Sequence, residues 1–183
     1  MDYEAQIRLW LMQDEMRLDV IKAVSSLTLS DCWIAAGFIR NLVWDKLHRY
    51  SYSTPLNDID VIYYDAEQTD KSADLFYESQ LRALTNASLG FSVKNQARMH
   101  GKLKKTQYKS TLEAMSYWPE IETAVAVRWI NDDIQFIAPF GLERLFNKTI
   151  TFNVKSSFEA FNQRINSKGW LETWPDLIMH EKG

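Results

Sequence analysis

Two carboxylates separated by one apolar residue, Asp58-Ile59-Asp60, run into the β-branched and aromatic segment Val61-Ile62-Tyr63-Tyr64. Segments of that composition form buried strands, and an extended chain turns alternate side chains to opposite faces. Asp58 and Asp60 therefore share one face, and Ile59 and Val61 share the other. Like charges held that close raise each other's pKa unless a cation lies between them. Carboxylate oxygens are hard ligands that suit magnesium or manganese, ions that take one or two protein carboxylates and leave positions for water and substrate phosphate. The same residues have a plainer use, since Asn57 and Asp58 are good turn formers where a strand begins.

A second constellation lies upstream. Cys32-Trp33-Ile34-Ala35-Ala36 is a short apolar run bounded by Asp31 and Gly37, which reads as a buried strand. From Phe38 the spacing becomes helical through Leu42, Val43 and Leu47, so Gly37 marks a strand-to-helix turn where a backbone can approach a ligand closely. The amides at that helix start, Gly37 and Phe38, favour anions such as phosphate. Arg40, with Asn41 beside it, adds a mobile guanidinium in the first turn. Taken alone, this is also how an ordinary strand-helix turn looks.

The chain has one basic cluster, Lys94, Arg98, Lys102, Lys104, Lys105 and Lys109, with Tyr108 between them. It serves either as an electrostatic guide for a triphosphate or acidic acceptor, or as a solvated loop. His100 lies within it and has the pKa range of a general base, although single histidines are commonly structural.

In chain order, Ala36-Gly37-Phe38-Ile39-Arg40-Asn41 followed by Asp58-Ile59-Asp60-Val61 resembles the Gly-Gly-x-Val-Arg-Asp and Asp-x-Asp pair of the polymerase β-like nucleotidyltransferase superfamily. The likeness is greatest to its CCA-adding and poly(A) polymerase branch. Further segments resemble a small group of bacterial nucleotidyltransferase-like proteins: Val93 to His100, Trp118-Pro119-Glu120, Thr123 to Arg128 and Ala138 to Leu142. The resemblance implies a mixed α/β (α+β) fold with a central sheet flanked by helices. It implies that Gly37 admits a nucleoside triphosphate with Arg40 nearby, and that Asp58 and Asp60 are catalytic and hold two metal ions. Phe38, Asn41 and Lys94 join Gly37 and Arg40 as candidate nucleotide-binding residues. Two positions depart from the pattern: Ala36 replaces the first glycine, and Asn41 stands where the branch has aspartate. A third carboxylate on the next strand is usual in the superfamily, but the positions here are Ser92 and Lys94. Glu113, Glu120 and Glu122 are the nearest candidates for a substitute.

The elements that must hold these groups follow from periodicity. Leu9, Met12, Met16, Val20, Val24 and Leu27 predict one amphipathic helix over about 3–26. Leu75, Phe76, Leu81 and Leu84 predict a helix over 72–89, ended near Gly90, before the extended Phe91 to Asn95. Residues 111–117 suggest a short helix. Two strand-like runs, 124–129 and 134–138, flank an Asn/Asp turn and predict a hairpin in which Arg128 faces either the cleft or a surface ion pair. A short helix follows Gly141. Phe158, Phe161 and Ile165 predict a last helix within 156–168 that packs back on the body. Trp170 and Trp174 then cover core, bind a partner or wall a substrate site.

The 183 residues, 46% of them hydrophobic, predict one domain spanning 1–183 with the terminal helices packed on it. A net charge of −3 gives no general nucleic-acid footprint. The single cysteine, Cys32, reads as a small core residue in a reducing compartment. With no secretory leader and no apolar run of bilayer length, a cytoplasmic protein without membrane partners is expected. The expected activity is magnesium- or manganese-dependent transfer of a nucleoside monophosphate from a triphosphate to an unidentified acceptor on RNA, protein or a small molecule. The alternatives are a nucleotide-binding module that has lost transfer and, from the tryptophan-rich tail, an interaction domain.

Overall fold

The computed structural model describes residues 1–86, 88–100 and 107–181. The chain opens with two helices, α1 (Tyr3–Met12) and α2 (Glu15–Ser25), where periodicity predicts one. The break falls at Asp14, which takes an extended backbone and accepts the Arg17 amide at 3.0 Å. That cap requires Asp14 outside the helix, and its carboxylate also pairs with the guanidinium of Arg17, a side chain with no exposed surface. The packed stripe is Ile7, Leu11, Val20, Ile21 and Val24, while Leu9, Met12 and Met16 are exposed instead of buried.

Strand β1 (Trp33–Ala35) passes through Ala36 into α3 (Gly37–Leu47), and β2 (Ile59–Tyr63) follows a polar loop. Helix α4 (Lys71–Leu84) precedes β3 (Phe91–Asn95). Next come α5 (Thr111–Met115), β4 (Ala126–Ile130) and β5 (Asp133–Ile137). The β4-β5 turn is Asn131-Asp132, with φ of 52° and 59°, the positive values that a two-residue hairpin connection matches to strand twist. The remaining elements are α6 (Glu143–Phe146), β6 (Thr149–Thr151), α7 (Phe158–Lys168), α8 (Trp170–Thr173) and β7 (Ile178–His180).

Five strands form a mixed sheet in the order β3-β2-β1-β4-β5, parallel only between β2 and β3. Strands β6 and β7 pair separately. One sheet face sends Ile34, Ile59, Val61, Tyr63, Val93 and Val127 into the main core. The other sends Trp33, Ala35, Ile62 and Ala126 against Met115 and Ala124. The alternation of β2 therefore buries Ile59 and Val61 and leaves Asp60 on the opposite, more open face. Cys32 packs against the main core with its thiol pushed up to about 12, by burial first and by Asp31 second.

Helix α4 departs from its predicted stripe, because Leu75, Phe76 and Leu84 are exposed and the buried positions are Asp74, Glu78 and Leu81. Asp74 accepts the Tyr63 hydroxyl at 2.9 Å and pairs with Arg98. Glu78 accepts the Val93 amide at 3.0 Å, satisfying a backbone donor on the edge strand β3. At the opposite edge, the Ile134 carbonyl of β5 accepts from Arg8 at 2.6 Å. Among the described residues, no helix is long and apolar enough to cross a membrane.

The tail closes over α3. Trp170 and Trp174 meet Trp44 edge-on, with ring centroids 6.1 and 5.1 Å away. Trp174 Nε1 donates to the buried Asp45 at 2.8 Å, and Asp45 also accepts the Thr54 amide at 2.9 Å. Core cover is thus one role that the tail tryptophans fill. Replacing Trp174 by Phe keeps an aromatic ring there but leaves a buried carboxylate oxygen without its donor. Such a loss costs about 1–3 kcal/mol, so W174F should unfold at lower urea concentration, whereas an unchanged midpoint would show that the indole N–H contributes nothing.

Candidate functional site

The turn from β1 into α3 is shaped by an unusual backbone. Ala36 has φ 57° and ψ −124°, a region that a Cβ makes costly and that glycine enters freely. Its amide donates to the Val125 carbonyl at 3.0 Å and its carbonyl accepts the Arg40 amide at 3.0 Å, so the strained residue is fixed at both ends. No side chain caps α3, and its first amides are open to an anion.

Gly37 eases the turn for a different reason. A Cβ there would lie 3.3 Å from Arg40 Nη2 and 3.5 Å from Asn41 Oδ1. These two side chains fold back over the helix start, with Arg40 Nη2 donating to Asn41 Oδ1 at 2.9 Å. Arg40 Nη1 donates to Thr123 Oγ1 at 2.8 Å, and the guanidinium lies 5.1 Å from the Trp44 ring centroid and 4.5 Å from that of Trp170. The sequence suggests a mobile arginine, but Arg40 is buried and held from four sides. Burial is the main reason that its pKa is drawn down to about 10, with Glu120 the strongest opposing influence. Asn41 supplies a neutral acceptor where the superfamily pattern has a charged one.

Asp58 and Asp60 meet this turn in one polar cleft of about 700 Å³, walled also by Gly37, Arg40, Arg164 and Lys168. Asp58 is exposed and Asp60 half-buried. Burial first, then the Asp58 charge, push the Asp60 carboxyl up to about 6, while Arg40, Arg164 and Lys168 pull it down. Among the described residues neither carboxylate has a hydrogen-bonding partner, and no group of three or more His, Cys, Asp or Glu side chains is placed to hold a metal. Two unpaired carboxylates facing a roomy polar cleft fit magnesium or manganese, whose other ligands would be water and phosphate oxygens.

Not every expected residue reaches the cleft. The Phe38 side chain is wholly buried, packed in the main core under the Arg17 guanidinium, so only its backbone could meet a nucleotide. Lys94 lines a neighbouring cavity and pairs with Glu78 at 3.7 Å. Arg98 is tied to Asp74, His100 approaches the Ala97 carbonyl at 3.4 Å, and Lys102, Lys104 and Lys105 lie outside the described residues. Among the described residues Arg128 meets neither the cleft nor an acid; it stacks over Trp33 at 4.2 Å and donates to Gln135 at 2.8 Å.

Ser92 stands directly across from Asp60 in the β2-β3 register, so this strand brings no carboxylate there. Glu122 is occupied by Thr149 and Thr151, and Glu113 accepts the Lys109 amide at 2.7 Å. Glu120 differs: it shares a cavity with Asp60, its Oε1 accepts from Arg164 Nε at 2.6 Å, and its buried Oε2 has no hydrogen-bond partner among the described residues. The residues that sequence reasoning missed are Arg164, Lys168 and the tyrosines of the loop, Tyr50 and Tyr52, which stack 5.7 Å apart at the cleft wall. The i, i+4 spacing of Arg164 and Lys168 was a signal that one face of α7 is basic.

The family described as nucleotidyltransferase matches residues 22–179. A solved structure whose description reports a CCA-adding enzyme head domain is 29% identical, with a TM-score of 0.83 over 98% of this chain and 96% of the other. A CCA-adding enzyme solved with CTP is 14% identical, with a TM-score of 0.54 over 99% of this chain and 41% of that one, a likeness of fold. No curated protein matches the chain.

Two substitutions test this geometry. Strain of the Ala36 type costs about 1–3 kcal/mol, against about 0.4–1 kcal/mol of added unfolded-state freedom for glycine and about 0.8 kcal/mol for a buried methyl. Ala36→Gly should therefore fall between about 0.8 kcal/mol less stable and about 1.8 kcal/mol more stable in urea unfolding, and a loss well beyond about 1 kcal/mol would contradict the strain. In metal-free protein, Asp58→Asn should lower the pH at which the Asp60 carboxyl carbon titrates by NMR. An unmoved midpoint would mean that the two acids do not sense each other.

Proposed function

Because this chain belongs to the nucleotidyltransferase family, we propose that the polar cleft binds a nucleoside triphosphate with magnesium or manganese and that the protein transfers the nucleoside monophosphate to an acceptor hydroxyl. The observation that carries this reading is the meeting of Asp58 and Asp60, both unpaired, with the uncapped start of α3 and the cations Arg40, Arg164 and Lys168. The metal would neutralise charge on the phosphates and be held by Asp58 and Asp60. Gly37 leaves room for the phosphates beside the helix amides, and Arg164 and Lys168, which line the same cleft, attract them. The acceptor oxygen bonds to the α-phosphorus, the bond from that phosphorus to the bridging oxygen of the β-phosphate breaks, and pyrophosphate leaves. The hydroxyl proton passes to solvent directly or by way of Glu120. The CTP found with the CCA-adding enzyme of this fold makes cytidine and adenosine triphosphates the first ones to try.

A second reading, a module that binds nucleotide without transferring it, draws on Ser92 opposite Asp60 where the superfamily commonly places an acid. One experiment separates the two. Labelled nucleoside triphosphates are titrated into wild type and an Asp58→Ala/Asp60→Ala variant with magnesium, manganese or chelator, then incubated with candidate acceptors. Wild type should bind in a metal-dependent way and the variant at least tenfold more weakly. Equal binding by the two proteins overturns the metal assignment. Metal-dependent binding without pyrophosphate release or labelled product establishes the binding-module reading instead.

A further inference from the structure

Next to the polar cleft is a second cavity of about 430 Å³, and the two share Ala36, Asp60 and Arg164. Its character is different. Ile62, Met99, Tyr117, Trp118 and Pro119 give it a mainly apolar, ring-bearing wall, with Gln96 and Glu120 as polar points. We propose that this cavity is the acceptor site, and that the acceptor is a small molecule with a flat aromatic or heterocyclic ring bearing a hydroxyl. The inference rests on the transfer reading above.

Three observations support it. In-line displacement places the attacking and leaving oxygens on opposite sides of phosphorus. With pyrophosphate directed toward Gly37 and Lys168, which line the polar cleft alone, the attacking hydroxyl would come from the other side of phosphorus, and the second cavity adjoins the cleft at Asp60. The volume lies in the range of small-molecule sites, and apolar walls with a few polar points are their usual lining. A flat ring suits the Trp118 side chain in this wall, since aromatic faces stack on π-systems.

The test uses the full chain without nucleotide and two one-ring primary alcohols, tyrosol and pyridoxine, followed by protein NMR. At least one should shift the Trp118 indole N–H and the Met99 methyl without moving the Tyr52 ring. Met99 is 48% exposed, so Met99→Trp can narrow the cavity mouth without entering the core, and it should weaken that binding at least tenfold. Absence of shifts with both alcohols in wild type overturns the proposal, as does a short single-stranded RNA that shifts the same two signals. Loss of magnesium-CTP binding in Met99→Trp would also overturn it, assigning the cavity to the nucleobase. Since alcohol binding is read without nucleotide, a failure of triphosphate binding in wild type would count against the transfer reading and leave this measurement legible.

Discussion

A buried guanidinium is the constraint from which much of this molecule follows. Arg40 keeps its charge with two neutral oxygen acceptors and two indole faces, so partners must come from several parts of the chain. Thr123 comes from the segment before β4, Trp44 and Asn41 from its own helix, and Trp170 from the C-terminal tail. The absence of a Cβ at position 37 eases this arrangement in the first turn of α3, since a Cβ there would lie 3.3 Å from Arg40 Nη2. The tail that looks like an appendage in sequence is therefore part of the cleft wall, and the same tryptophans that close the core give the cation its surroundings. A cation fixed in this way gives a constant field toward Asp60 and gains little freedom to follow a ligand.

The sheet then divides labour by face. Its helix-covered side takes nearly all the large aliphatic side chains, and the opposite side is left with a small cluster and two adjoining cavities that meet at Asp60. Arg164 stands at that junction, bound to Glu120 and stacked 5.6 Å from the Trp170 centroid. It belongs to both spaces, so a change on one side can be felt on the other through a single side chain.

The Asp58-Ile59-Asp60 pattern was legible because strand alternation is local: knowing that Ile59 and Val61 are buried is enough to place Asp60. The β4-β5 hairpin was legible for the same reason, since Asn131 and Asp132 supply the positive φ that the turn demands. The helical stripes were less so. In α4 the inner face is carried by Asp74 and Glu78, whose partners Tyr63, Arg98 and Val93 are distant or lie on another element, and periodicity counts only apolar residues. Arg17 hides in the same way, being charged by type and wholly buried by virtue of Asp14. Arg164 and Lys168 belong to the cleft through a chain reversal more than a hundred residues after Asp60, a relation that no local window contains. The strain at Ala36 was visible only as a departure from a motif, and its meaning is conformational.

The carboxylate of Glu78 that receives the Val93 amide, and the guanidinium of Arg8 on the Ile134 carbonyl, also define where the sheet stops. Edge strands offer unpaired backbone groups to any passing chain, and proteins blunt them with charge. Here each border of the five-stranded sheet is answered by a charged side chain from a helix of the same molecule, an acid for a donor on one side and a base for an acceptor on the other. Each border of the sheet thus has one of its backbone groups taken by a charged side chain of the same molecule.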